Sequence, residues 1–198
     1  MKEKILLTDA DGVLVSWIDG FHSWMKSNGY SIVDESKYEI HEKYGISRKE
    51  GNKLCYQFSH SNEIMTLRPF DDARKYVRKI HYDLGYKVRV ITSLTDDERV
   101  QRLRRVNLES TFGPIFDDIL CLPHGDNKFK ALSRYVDSEY IWVEDKNENA
   151  HLGTNLGLYS FLIDRPYNQT GHPQSEYFYQ RVKSWKEIYD HIVALESE

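Results

Sequence analysis

The chain has 198 residues, 40% of them apolar and 29% charged, with a net charge of −4 at pH 7. That length suits one domain with a real core and a small insertion, and is short for two independent domains. The negative balance argues against recognition of a phosphate backbone, so no nucleic acid is expected as a partner.

The longest apolar runs, such as Ile5-Leu6-Leu7, are too short to span a bilayer, so no membrane partner is expected either. Aromatics at 13%, with 14 Tyr, argue against disorder. The first residues, Met1-Lys2-Glu3-Lys4, run straight into a strand-like pattern without a secretory apolar region. Two cysteines, Cys55 and Cys121, cannot build a disulfide framework, so a reducing, cytoplasmic setting is the expectation.

In chain order, short β-rich runs alternate with longer amphipathic stretches, the pattern of a parallel α/β sheet. Strands are predicted over 4–8, 88–92, 115–122, 140–144 and 159–164. A helix over 71–84 would place Ala73, Tyr76, Val77 and Ile80 on one face. Thr95-Asp96-Asp97-Glu98 reads as a capping box for the next helix, and Asp126 as the cap of a helix running to about 136. A last helix is expected from Ser184 to Ala194. The gap between residues 8 and 88 exceeds one crossover helix, so 15–68 is an insertion. It reads as helical: Phe21 to Met25 forms an amphipathic turn stopped at Asn28-Gly29, and Ser47-Arg48-Lys49-Glu50 is another capping-box pattern. Pro69 marks the return to the main domain.

Four places carry candidate chemistry. Asp9-Ala10-Asp11-Gly12-Val13-Leu14 follows the first strand. Ligands of open parallel sheets bind beyond the carboxyl ends of strands. Two carboxylates one residue apart there need a cation, or a raised pKa on one of them. A hard ion such as Mg²⁺ suits oxygen ligands. Thr92-Ser93 ends the second strand and offers a hydroxyl and amides as an oxyanion cradle. Lys128, with Lys130 as competitor, sits at a predicted helix start against the macrodipole, where a nearby anion would explain it. Glu144-Asp145 closes the fourth strand, with Asn149 four residues after Asp145, and Asp145 can complete a cation site with Asp9.

Set and order together resemble the four motifs of the haloacid dehalogenase-like (HAD) hydrolase superfamily. The resemblance covers residues 4–164. It implies a Rossmann-like three-layer sandwich with a parallel sheet, an aspartyl-phosphate intermediate, Mg²⁺, and a small helical cap of the C1 type inserted after strand one. The core would then be 1–14 and 69–198, and the cap 15–68. Within the superfamily the first motif and Pro69…Gly85-Tyr86…Ile91-Thr92-Ser93 look most similar to 5′(3′)-deoxyribonucleotidases and their phage-borne relatives, which usually carry Asp-Asp where this chain has Glu144-Asp145.

The resemblance implies Asp9 as nucleophile and Asp11 as general acid and base. Thr92 and the Ser93 amide would hold phosphoryl oxygens, and Lys128 would offset charge. Asp9, Asp145 and the backbone carbonyl of Asp11 would bind Mg²⁺, with Glu144 and Asn149 behind them. Dehalogenases of the superfamily lack an acid at the Asp11 position, so phosphomonoester hydrolysis is expected, with a phosphotransferase or mutase, a sugar phosphatase, or a weak phosphate-binding protein as alternatives. The expected partner is a small phosphorylated metabolite or nucleotide. Aromatics of the insertion, Trp17, Phe21, Trp24, Tyr30, Tyr38, Tyr44, Tyr56 and Phe58, form its core or stack on a substrate base. Asp164 is expected to pair with Arg165, and Arg99, Arg102, Arg104 and Arg105 to form a solvated helix face. Cys121 and His124 lack the second pair a zinc site needs.

Overall fold

The computed structural model describes residues 3–37, 39–169 and 179–197. Five predicted strands form, within a residue or two of expectation: β1 (Ile5–Thr8), β2 (Lys87–Ser93), β3 (Phe116–Leu122), β4 (Ile141–Glu144) and β5 (Tyr159–Ile163). A sixth, β6 (Gln180–Val182), was not expected; three residues are too few to carry a periodicity. The sheet has the order β3-β2-β1-β4-β5-β6, with every pairing parallel. The chain leaves β1 for β2 on one side and later returns to β4 on the other. That places the topological switch point at the carboxyl end of β1.

Strand alternation sorts the core into two layers. Leu6, Val88, Val90, Ile141, Val143, Phe161 and Ile163 belong to one apolar cluster, together with Val77 of α4 (Asp71–Tyr82), Leu108 of α5 (Glu98–Phe112) and Ile188 of α8 (Trp185–Leu195). Ile5, Leu7, Ile91 and Trp142 belong to the other, with Leu132 of α6 (Phe129–Leu132) and Leu152 of α7 (Asn147–Asn155). Successive residues of one strand thus feed opposite faces, the mark of a sheet covered on both sides.

Helix starts show which capping expectations hold. Ser184 accepts from the Glu187 amide at α8 as expected, whereas α5 is capped by Asp97, which accepts from Arg99 and Val100, not by Thr95. Thr95 instead accepts from the Asp97 amide. The helix expected from Asp126 is only α6, one turn with Lys128 at its N-cap, followed by a 3-10 turn over Ser133–Tyr135.

Between β1 and β2 the chain is helical, as expected: α1 (Trp17–Ser27), α2 (Ile40–Lys43), α3 (Arg48–Ser59) and a 3-10 turn, Asn62–Thr66. Ser47 caps α3 by accepting from the Glu50 amide. Val15 bridges both Asp11 and Pro69, and Ser16 donates its amide to Arg68, so entry and exit of this segment are tied together. Among the described residues no helix is long and apolar enough to cross a membrane.

Gly153 lets α7 lie close on the sheet. A Cβ there would sit 2.4 Å from Cδ1 of the fully buried Trp142 and 2.6 Å from Ser160 Oγ. Gly153→Ala should therefore lower Tm by several degrees. The helix-propensity gain of about 1 kcal/mol is outweighed by overpacking at about 1–3 kcal/mol. A Tm at or above wild type in a thermal melt would show that the layer relaxes freely.

Candidate active site

The strand ends of the sequence motifs converge on one edge of the sheet. Asp9 follows β1 directly, and its amide still donates to Val143 of β4 at 3.0 Å. The Asp9 carboxylate is buried. One oxygen accepts from the Ala10 amide at 2.7 Å, and the other lies 2.9 Å from Lys128 Nζ. Lys128 also donates to both oxygens of Glu144, at 3.3 and 3.4 Å. Its own side chain is 2% exposed, while Lys130 points to solvent. The macrodipole is a weak guide here, because α6 is one turn long. Lys128 is held inside by the carboxylates around it.

Glu144 is fully buried and accepts from the Asn149 side-chain amide, so Asn149 orients Glu144. Asp145 follows β4 and accepts a short hydrogen bond from the Tyr167 hydroxyl. Carboxylate oxygens of Asp9, Glu144 and Asp145 approach within 4.8 Å of one another. Among the described residues this is the cluster that can hold a metal ion; Cys121 and His124 join none.

Charge state follows from crowding. Burial would raise the Asp9 pKa, but the charge of Lys128 together with hydrogen bonds from Lys128, Glu144 and the Ala10 amide holds the carboxyl below its ordinary range. Burial would lower Lys128, and Asp9 and Glu144 together hold it above. Glu144 is pushed well up by burial and then by Asp9. Asp145 is pushed up to about 6 by the same two causes. Three carboxylates therefore face one lysine. The excess negative charge and the all-oxygen donor set fit a hard divalent cation, so Mg²⁺ suits these residues.

Asp11 behaves differently. Its carboxylate is outside the cluster and accepts two hydrogen bonds from Arg104 of α5, at 2.6 and 3.0 Å. Burial nonetheless raises its pKa against the pull of Arg104. Any hold of Asp11 on a cation falls to its backbone carbonyl. Thr92, next to last in β2, has its hydroxyl buried and without a hydrogen-bond partner among the described residues. Ser93 donates its hydroxyl to the Asp126 carbonyl at 3.3 Å.

Gly12 is what lets the first loop close on the fourth. Its φ is +76°, and a Cβ there would lie 2.1 Å from Asp145 Oδ2 and 2.5 Å from the Tyr167 hydroxyl. Arg165 Nε donates to the Gly12 carbonyl at 2.7 Å, and the buried Trp185 indole donates to Val13 O at 3.0 Å. Both pin the loop from residues far away in sequence.

Several side chains sit elsewhere than the sequence suggested. Asp164 pairs with Arg181 at 2.5 Å, since Arg165 is turned to Gly12 and lies over the Phe70 ring. The arginines of α5 do not form one solvated face. Arg102 is exposed, Arg99 donates to His60 and Asn62, Arg105 to the Ile119 carbonyl, and Arg104 is fully buried. The missed signal was periodicity: Arg104 shares a helical stripe with the buried Val100 and Leu108. Tyr167 carried no such signal. In the insertion, Trp17 stacks on Phe21 at 4.9 Å, and Phe58 and Tyr44 meet Phe21 edge-on. Tyr56 is exposed and stacks on His60, and Tyr38 lies outside the described residues.

Comparison with known proteins places this geometry. No protein-family model matches the sequence. A 32.4 kDa uncharacterised protein of Enterobacteria phage T4, from the Gp30-rIII intergenic region, is 27% identical over 130 residues, 62% of this chain and 46% of that one. The chain thus matches about half the length of that relative. Among solved structures, a haloacid dehalogenase-like family hydrolase from Streptococcus pneumoniae superposes with a TM-score of 0.64 at 15% identity, covering 96% of this chain and 99% of that one. The L-2-haloacid dehalogenase of Xanthobacter autotrophicus, with chloropropionic acid covalently bound, gives 0.66 at 10% identity over 98% and 99%. A D,D-heptose 1,7-bisphosphate phosphatase from B. bronchiseptica, complexed with magnesium and phosphate, gives 0.57 at 12% identity over 97% and 99%. These likenesses establish a HAD-like, Rossmann-type fold.

Lys128 is the counterion of the cluster, so Lys128→Met should destabilise the metal-free protein far more than Lys130→Met, on the order of 3 kcal/mol. Without the lysine, Asp9 loses the charge that depresses its pKa, and the folded-state pKa values of Glu144 and Asp145 rise further above their unfolded values. Such groups favour folding at low pH and lose that contribution as pH rises. The Tm deficit of Lys128→Met, measured in EDTA, should therefore widen from pH 5 to pH 8. A deficit independent of pH would mean that Lys128 acts by packing alone.

Proposed function

We propose that the chain is a Mg²⁺-dependent phosphomonoesterase working through an aspartyl-phosphate on Asp9. The observation that carries this reading is the buried Asp9 carboxylate, held below its ordinary pKa by Lys128 at the switch point of the sheet. An ionised, partly desolvated carboxylate is the form a nucleophile requires.

In this reading an Asp9 oxygen attacks phosphorus and the P–O bond to the leaving alcohol breaks. Asp11 gives that oxygen its proton, then takes a proton from the water that attacks the acyl phosphate, releasing inorganic phosphate and restoring Asp9. The buried Thr92 hydroxyl, lacking a partner within the protein, is available to a phosphoryl oxygen. Lys128 balances the nucleophile and the incoming oxygens. Asp9 and Asp145, with the Asp11 carbonyl, would hold the cation, with Glu144 beside them oriented by Asn149. When bound, Mg²⁺ supplies positive charge to the phosphoryl oxygens and relieves the repulsion within the cluster. The Tyr167 hydroxyl on Asp145 orients a ligand, so Tyr167→Phe should weaken Mg²⁺ binding about 10- to 100-fold by calorimetry. Unchanged affinity would leave Tyr167 as packing only.

The substrate is a small molecule, and segment 15–68 acts as a cap of the C1 type over the 1–14 and 69–198 core. Nucleoside monophosphates are the finer expectation. Phe21, Phe58 and Tyr44 are buried in the core that the segment shares with α5 and so are closed to a substrate base. Sugar phosphates, and transfer to a sugar acceptor, use the same apparatus.

The test is phosphate release from a panel of deoxynucleoside monophosphates and sugar phosphates, with Mg²⁺ and with EDTA. Turnover should need Mg²⁺ and fall at least about a hundredfold in Asp9→Asn, an amide being too poor a nucleophile. Activity retained in Asp9→Asn, or no release from any ester by wild type, overturns the reading. Sugar phosphates hydrolysed as well as the nucleotides would remove the nucleotide preference and leave the esterase.

A further inference from the structure

Arg104 is a cation placed where cations are expensive. It lies in the middle of α5, on the stripe of Val100 and Leu108, with 0% of its side chain exposed. Burying a guanidinium costs several kcal/mol unless an anion and hydrogen bonds compensate. Its compensation comes from a carboxylate 93 positions away in sequence, Asp11, through two nearly parallel hydrogen bonds of 2.6 and 3.0 Å. The third donor, Nε, has no partner among the described residues. Three residues on, Asn107 is also buried and donates to the carbonyls of Met65 and Leu67, at the exit of segment 15–68. One helix face thus holds both the first loop and the end of the insertion.

The geometry points to Arg104 as the positioning residue of Asp11. A lone aspartate on a glycine loop can rotate about χ1 and χ2. A planar fork bonded to both oxygens removes that freedom and sets the plane of the carboxyl. The Asp11 side chain remains 26% exposed, so it is gripped on one side and open on the other. A lysine could balance the charge but could not fix the plane. The cost of burying Arg104 is met by a gain in orientation, the quantity on which proton transfer to a leaving oxygen depends. This assignment rests on the reading of Asp11 as acid and base.

The experiment is a double-mutant cycle on kcat for an alkyl phosphate, using Arg104→Met, Asp11→Asn and the pair, with Arg104→Lys beside them. Arg104→Met should lower kcat on the order of 10²-fold, within the range of acid–base assistance, with KM changed less than about threefold. In the Asp11→Asn background the same substitution should cost almost nothing more, because the carboxyl it orients is gone. Arg104→Lys should recover only a small part of the loss. Beryllofluoride binding at Asp9, read as a rise in Tm, should persist in Arg104→Met and shows that the rest of the site is folded. Losses that multiply in the pair, full recovery by Arg104→Lys, or beryllofluoride binding lost from a folded Arg104→Met would each overturn the positioning role while leaving the phosphatase reading standing. Wild type inert toward every ester would instead overturn that reading, and this assignment with it.

Discussion

Everything at the carboxyl edge of the sheet depends on keeping Asp9 ionised while it is buried. Lys128 does this at 2.9 Å, and it is itself acceptable inside only because Glu144 and Asp9 flank it. Removing any one of the three strands the others, so the trio behaves as one unit. The position of the trio follows from topology. Asp9 follows β1 and Glu144 ends β4, neighbouring strands at the switch point, and Lys128 comes in after β3 at the N-cap of the one-turn α6. Trp142 supports the arrangement from below, its ring 5.1 Å from Lys128 Nζ and its indole bonded to Asn149 O.

A second constraint is space. Asp145 and Tyr167 occupy the volume a side chain at position 12 would need, and the loop takes a positive φ there. Gly12 therefore serves both backbone and packing, and the loop it belongs to is pinned by Arg165 and Trp185. Precise placement of Asp9 and Asp11 is thus distributed over β1, α5, the 3-10 turn Pro166–Asn168 and α8.

Much of this was readable in the residues because it rests on local signals. Short, continuously buried strands, the Asp-x-Asp-Gly turn and Glu144-Asp145 all announce themselves within a few positions. The fold class and the placing of Asp9, Thr92 and Asp145 at one edge follow from strand ends, whereas Lys128 arrives on the turn into α6. What escaped is non-local. Arg104 is one arginine among four; its place on the stripe of Val100 and Leu108 hints at burial, but only its contact with Asp11 explains that burial and separates its role from that of the exposed Arg102. Asp164 had a neighbouring Arg165, but the pair it makes is with Arg181 on β6, a strand too short to signal itself. Lys128 was set apart from Lys130 on a macrodipole argument, while burial between two carboxylates is what distinguishes them.

The insertion illustrates how such non-local contacts limit motion. Phe21, Phe58, Ile64 and Leu67 from the segment belong to the same apolar cluster as Val100 and Leu108 of α5. Asn107 and Arg99 bond its exit, and Val15 ties its two ends. Swinging the whole segment away as a rigid lid would expose that shared core, at about 25 cal/mol for each Å² uncovered. The segment and α5 are therefore parts of one apolar core. Asn107 donates to the carbonyls of Met65 and Leu67, so the end of the segment is fastened to the helix that also carries Arg104.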